Sequence, residues 1–264
     1  MSENPVRFER LGTTAVVTLD KAATRNALTA DVKDGLAAAL AQVKADAQIR
    51  AVVLTGANGA FCAGGDLRRI AGAAKVESDG LREMMHGAHA IFRQLLTLDR
   101  PVIAAVDGAA YGAGFSLALA ADFVLVTPRA RFSMVFMRMG LVPDCGATYM
   151  LPRIVGAQRA RELFLSAREV GAQEALSLGI AMELHEPSAL MPRALALADS
   201  FAGASPLATG LVKRLSLDAG AMEAAFEAEA NAQALCFQTT PHREAVQRFI
   251  DKQPLAFQWP TNKE

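Results

Sequence analysis

Two glycine-rich runs are the places in this 264-residue sequence where chemistry is best supported. The first is Ala60-Phe61-Cys62-Ala63-Gly64-Gly65-Asp66-Leu67. The second is Ala105-Val106-Asp107-Gly108-Ala109-Ala110-Tyr111-Gly112-Ala113-Gly114-Phe115-Ser116-Leu117-Ala118. Each follows an apolar run that reads as a buried strand and leads into a helical pattern. Small residues at such a junction let a ligand approach the main chain closely. A helix start adds N–H groups without intrahelical partners, at the positive end of the helix dipole. Two such turns side by side can aim two N–H donors at one oxygen, the arrangement that stabilises a developing oxyanion. Taken singly, either run is better read as a tight turn with close helix packing. Neither has the spacing of a dinucleotide fingerprint or a phosphate-cradling loop. The specific signal is the ordered pair.

The surrounding pattern supplies elements to hold these turns. Val6–Arg10 and Ala15–Leu19 read as paired strands around Gly12-Thr13. Thr29 is placed to cap a helix whose apolar face is Val32, Leu36, Ala39, Leu40 and Val43. Ala51–Leu54 is a short buried strand, and residues 57 to 66 read as a loop. Residues 80–97 read as a helix, Pro101–Val106 as a strand, 112–121 as a helix and Phe123–Val126 as a strand. This alternation predicts an α/β fold with mostly parallel strands. After about residue 190 the pattern is almost wholly helical, and Met222–Leu235 is a strong helix former. Two regions are expected, a core over 1–190 and a helical region over 191–264.

The two runs, followed by Arg131-Phe132 and Gly140-Leu141-Val142-Pro143-Asp144, resemble the enoyl-CoA hydratase/isomerase (crotonase) superfamily. Leu19-Asp20 through Arg25-Asn26-Ala27-Leu28 is similar to that family's first coenzyme A loop. Ser205-Pro206-Leu207-Ala208 and Lys213-Arg214 match its later helices, so the likeness runs from about Phe8 to Phe257. The resemblance implies a superhelix of stacked ββα units with a C-terminal helical region that builds trimers or dimers of trimers. It implies an acyl-CoA thioester as ligand, with Gly65 and Ala113 supplying the two oxyanion-hole N–H groups. Ala63, Gly64, Gly65, Asp66 and Leu67 would meet the coenzyme A moiety, with Gly112 beside them. Arg25 is the best-placed cation for its phosphates, ahead of Lys21 and Arg68. No metal or redox cofactor is expected; coenzyme A enters as part of the substrate.

Membership alone does not name the reaction. The family's hydratases carry glutamates at the positions of Ser116 and Phe136, which cannot share the handling of a water between two carboxylates. Gly140-Leu141-Val142-Pro143-Asp144-Cys145-Gly146 instead resembles the family's isomerases, including the ring-epoxide isomerase of phenylacetyl-CoA breakdown. Those that move a double bond carry Glu or Asp at the position of Asp144. One carboxylate suffices to take a proton from carbon 2 and return it at carbon 4. On local sequence alone Asp144 reads as a helix N-cap, because Pro143-Asp144 precedes a predicted helix from Gly146. The surrounding Phe132, Met134, Phe136, Met137 and Met139 form either an apolar pocket, which would raise its pKa, or plain core. A second reading makes Asp144 a nucleophile, as in the family's dehalogenases, and needs His86 or His89 to reach the site. A third makes the chain a non-catalytic acyl-CoA binder. Glu83 reads as a solvated helix position, Ser116 lacks the setting of a nucleophile, Cys145 reads as a small buried thiol, and Trp259 is too close to the C-terminus to line a pocket.

Composition narrows the partners. Lys+Arg and Asp+Glu each total 27, so no basic excess marks a nucleic-acid binder. Three separated cysteines suggest neither a disulfide framework nor a zinc site and fit a reducing cytosol. The N-terminal residues lack an apolar signal core, and Gly108–Ala121 is too short to span a bilayer. A cytoplasmic homotrimer or hexamer is expected, with Phe226, Leu235, Phe237 and Phe249 buried between subunits.

Overall fold

The computed structural model describes residues 4–66, 70–72 and 76–260. Gly12, at φ +58°, turns strand β1 (Val6–Leu11) back onto β2 (Thr14–Leu19) as an antiparallel hairpin. From β2 onward every pairing in this sheet is parallel: to β3 (Ala51–Gly56), then Val102–Val106, then Phe123–Val126, and at the edge Glu183–Leu184. A second sheet holds β4 (Ala60–Cys62), Ala109–Tyr111 and Arg131–Ser133 in parallel, closed by an antiparallel Val170–Gly171. In chain order these later strands are β5 (Val102–Val106), β6 (Ala109–Tyr111), β7 (Phe123–Val126), β8 (Arg131–Ser133), β9 (Val170–Gly171) and β10 (Glu183–Leu184).

The ββα repeat follows directly from this order. After α1 (Ala30–Ala45), the chain runs β3, β4, α2 (Ser78–Leu96), then β5, β6, α3 (Ala113–Leu119), then β7, β8 and a 3-10 turn at Val135–Met139. In each unit the first strand joins the large sheet and the second joins the small one. The junction between them is short, so each unit delivers a strand end and a turn to the same side of the molecule. Strand β5 is buried along its whole length, as expected for a central parallel strand covered on both faces. One face packs into the main core with α1 and α2. The other is covered by α7 (Pro187–Asp199), whose Leu190, Ala194 and Ala198 meet Val16, Val53, Ile103 and Leu125. Along the chain between β8 and α7 come α4 (Ala147–Val155), α5 (Ala157–Ser166) and α6 (Ala172–Ser177).

All five residues expected on the apolar face of α1 are buried. Thr29 stands at its N-cap, yet its hydroxyl donates to Asp31 at 2.5 Å rather than capping the helix. Strands β4 and β6 fall in runs that read as loop or turn. Three small residues each carry too little alternation to announce a strand.

The C-terminal run folds as α8 (Pro206–Ser216), α9 (Ala219–Phe237) and α10 (Thr240–Ile250). Helix α9 returns onto α2 of its own chain, where Arg93 binds Glu223 bidentately at 2.6 and 2.7 Å. Phe226 and Phe237 are 1% and 2% exposed within the single chain, so they are not available for a subunit interface. Leu235 and Phe249 are 73% and 46% exposed and remain available. No helix among the described residues is long and apolar enough to cross a membrane.

Candidate active site

The two glycine turns meet. At Gly64, φ is +100° and an added Cβ would lie 2.5 Å from the Tyr111 carbonyl oxygen and 3.6 Å from the Ala113 nitrogen. Only glycine permits both the conformation and the approach. The same closeness recurs one residue into the helix, where a Cβ at Gly114 would lie 2.1 Å from the Cys62 carbonyl. The first turn is tied from outside as well: Leu28 donates its N–H to Gly64 O at 2.8 Å and Ala63 donates to Arg25 O at 3.0 Å. Gly112, at φ +51°, precedes α3 and donates to Ser133 O at 2.8 Å. Among the described residues, the backbone N–H groups of Gly65 and Ala113 have no protein acceptor. Two unpaired donors on adjoining turns can bind one partly negative oxygen.

Asp144 sits on the segment that leads into α4, and Ser116 in the first turn of α3 donates its hydroxyl to the Asp144 carbonyl at 3.0 Å. That bond fixes the Asp144 segment to the helix that Ala113 begins. The Asp144 side chain is buried; its Oδ2 accepts from Gln233 Nε2 at 2.8 Å, and its Oδ1 has no partner among the described residues. Burial pushes the carboxyl up to about 6, against hydrogen bonds from Gln233 and the Cys145 thiol that favour the charged form. Asp144 does not cap α4: the N-cap is Gly146, and the side chain of Asp144 makes no capping bond. The cap comes from α9, where Glu229 accepts the N–H groups of Gly146 at 2.8 Å and Thr148 at 3.0 Å. Phe136 is buried, and its ring lies 3.7 Å from the position a Cβ on Gly112 would take.

Residues 9–260 match the family model described as enoyl-CoA hydratase/isomerase. The chain belongs to the enoyl-CoA hydratase/isomerase family. It is 37% identical over 261 residues to a probable enoyl-CoA hydratase of Rhodobacter capsulatus, covering 97% of this chain and 99% of that one. It is 33% identical over 245 residues to the 1,2-epoxyphenylacetyl-CoA isomerase of Escherichia coli, covering 91% and 93%. A solved enoyl-CoA hydratase/isomerase from Cupriavidus metallidurans superposes with a TM-score of 0.78 at 40% identity, over 100% of both chains. The fold is the crotonase fold of stacked ββα units with C-terminal helices.

Within this member of the enoyl-CoA hydratase/isomerase family, the other expected site residues divide clearly. Ala63, Gly64 and Gly65 lie on the first turn, Gly112 and Ala113 on the second, and the two turns touch at Gly64. Asp66 is half-buried and follows Gly65 directly. Leu67 and Arg68 lie outside the described residues. Arg25 is exposed, in the left-handed region at φ 50°, on the loop bonded to Ala63. Lys21 is taken up by Asp31 at 2.7 Å and Thr29 at 3.0 Å. Glu83 is exposed. His86 is half-exposed and pairs with Glu227 at 3.5 Å. His89 is fully buried against Phe226, with both ring nitrogens unpaired and Glu229 at 3.6 Å. Among the described residues no group of His, Cys, Asp or Glu converges as a metal site requires.

Two residues at this centre escaped the sequence reading, Gln233 and Glu229. The signal was present. They lie on the stripe Met222, Phe226, Ala230, Phe237, at helical spacing, and a carboxylate on an apolar stripe needs a buried partner.

Proposed function

We propose that the chain is an acyl-CoA isomerase in which Asp144 is the single acid/base group. The observation that carries this reading is a buried carboxyl with one oxygen held by Gln233 and the other unpaired, on a segment bonded to the Ala113 helix. The thioester carbonyl oxygen would lie between the Gly65 and Ala113 N–H groups, which stabilise the enolate that forms when carbon 2 loses its proton. Asp144 Oδ1 takes that proton and returns it at carbon 4, so the double bond moves and no proton is lost overall. A carboxyl that titrates near 6 suits both halves of the exchange better than one near 4. Ser116 and Phe136 favour isomerisation over hydration, because the hydroxyl of Ser116 is spent on the Asp144 carbonyl and Phe136 is apolar. Rearrangement of a ring-modified acyl-CoA uses the same parts, a carbonyl in the hole and one proton shuttle.

The test is a direct substrate comparison. The wild-type protein converts a 3-enoyl-CoA to the 2-enoyl isomer and adds water to crotonyl-CoA at least ~10²-fold more slowly, the scale of one general acid–base group. Brisk hydration of crotonyl-CoA with no isomerase activity overturns the reading. Release of halide from an aromatic acyl-CoA would support Asp144 as a nucleophile instead, with buried His89, 3.6 Å from Glu229, the histidine to test as the activator of water.

A further inference from the structure

Helix α9 carries two buried polar side chains, Glu229 and Gln233, one turn apart and 3% and 1% exposed. Both reach across to the segment that holds Asp144. Gln233 Nε2 donates to Asp144 Oδ2 at 2.8 Å and to Val142 O at 3.1 Å, and its Oε1 accepts the Val142 N–H at 3.2 Å. Glu229 accepts the N–H groups of Gly146 and Thr148 and the Thr148 hydroxyl. The main chain is therefore gripped on both sides of Asp144 by a helix more than eighty residues further along the sequence. Apolar side chains would pack α9 onto α2 without the cost of burying polar groups. The polar pair is placed where it contacts this turn.

We propose that Gln233 and Glu229 are positioning residues for the chemistry of Asp144. Gln233 fixes one carboxylate oxygen so that the other is presented to the substrate, and Glu229 fixes the turn that carries it. The proposal rests on the acid/base reading of Asp144 given above.

The groups around Asp144 define its pH behaviour. On its own segment the Cys145 thiol donates to it. From α9 come Gln233 and Glu229, and behind Glu229 lies His89 of α2 at 3.6 Å. Lys33 of α1 acts on Cys145. Burial holds His89 down at about 4, and burial with the Asp144 charge lifts Glu229 to about 7. His89 is therefore neutral around pH 6, and Glu229 titrates close to Asp144 itself. The Gln233 N–H favours ionised Asp144, so its loss must raise the midpoint.

The experiment compares Gln233→Met, Glu229→Leu and Glu229→Gln in the full chain, each checked for folding by circular dichroism. Turnover of a 3-enoyl-CoA is measured against pH. The Asp144 carboxyl is titrated by ¹³C NMR, its signal identified by its disappearance in Asp144→Asn. Gln233→Met is expected to lower kcat by about 10²-fold, the scale of an ångström-level misplacement, with KM changed only a few-fold. Its acid limb and the Asp144 midpoint both move to higher pH. Glu229→Leu loses turnover to a similar degree, and Glu229→Gln, which keeps an acceptor for the Gly146 N–H, recovers part of it. A folded Gln233→Met with wild-type kcat and an unmoved midpoint overturns the proposal. Should Gln233→Met not fold, Gln233→Glu takes its place under the same criteria, since it keeps the size and removes the amide donor. Loss of turnover in Asp144→Asn without any change in the Gln233 and Glu229 variants refutes this proposal alone. Wild-type turnover in Asp144→Asn refutes the acid/base reading, and this proposal with it.

Discussion

At the scale of the residue, Asp144 is expensive for the fold. Its carboxyl is raised from 3.8 to about 6 by burial, so the folded state binds its proton more tightly than the unfolded chain does. The sign follows: between about pH 4 and pH 6 the folded state holds more protons, and stability falls as pH rises through that window. Above it the cost is fully present. Asp144→Asn keeps the shape and an oxygen for the Gln233 N–H while removing the charge. At pH 8 it should therefore be more stable than the wild type by on the order of 3 kcal/mol. At pH 3, below both values, the difference should vanish. Thermal melts at the two pH values check this; an equal effect at both would show that Asp144 is not held against ionisation.

At the scale of the element, the site is an outcome of the ββα repeat. Each unit ends a strand of the large sheet, crosses to the small sheet and turns into a helix, and the first two units place Gly65 and Ala113 on adjoining turns. Ala113→Pro removes the N–H that begins α3 while keeping a residue suited to the first helical position. A loss of ~10²–10³ in kcat is expected, with the fold followed by circular dichroism. Unchanged turnover in a folded variant would remove Ala113 from the site. The turns were legible in the sequence because close main-chain approach demands glycine, and Gly64 and Gly114 are where a Cβ would strike a carbonyl. The first five large-sheet strands and α1 were legible because their apolar runs are longer, while the two-residue β10 was not. Strands β4 and β6 were not, being three residues each. The buried stripe of α9 was legible, but its partners were not, because Gln233 meets Asp144, and Glu229 meets Gly146 and Thr148, only through tertiary packing. The cap expected from Asp144 was assigned by adjacency, and the actual capping group is distant in sequence.

At the scale of the whole molecule, the C-terminal helices bury some of their large apolar side chains and expose others. Helix α9 spends Phe226 and Phe237 inside its own chain, while Leu207, Val212 and Leu215 of α8 and Leu235 of α9 stand exposed at 66% or more. Such apolar exposure favours assembly, and a trimer or hexamer is the expected state. Sedimentation at micromolar concentration should show no monomer, and Leu215→Asp, at an 86% exposed position, should weaken assembly while leaving the monomer fold intact. A wild type that sediments only as monomer would contradict this. The most direct measurement is conversion of a 3-enoyl-CoA in D₂O by wild type and by Asp144→Asn. The wild type should isomerise the substrate and place deuterium in it. The folded variant should lose conversion and exchange together, by ~10²–10⁴-fold. Isomerisation by folded Asp144→Asn at the wild-type rate would contradict the claim that this buried carboxyl moves the proton.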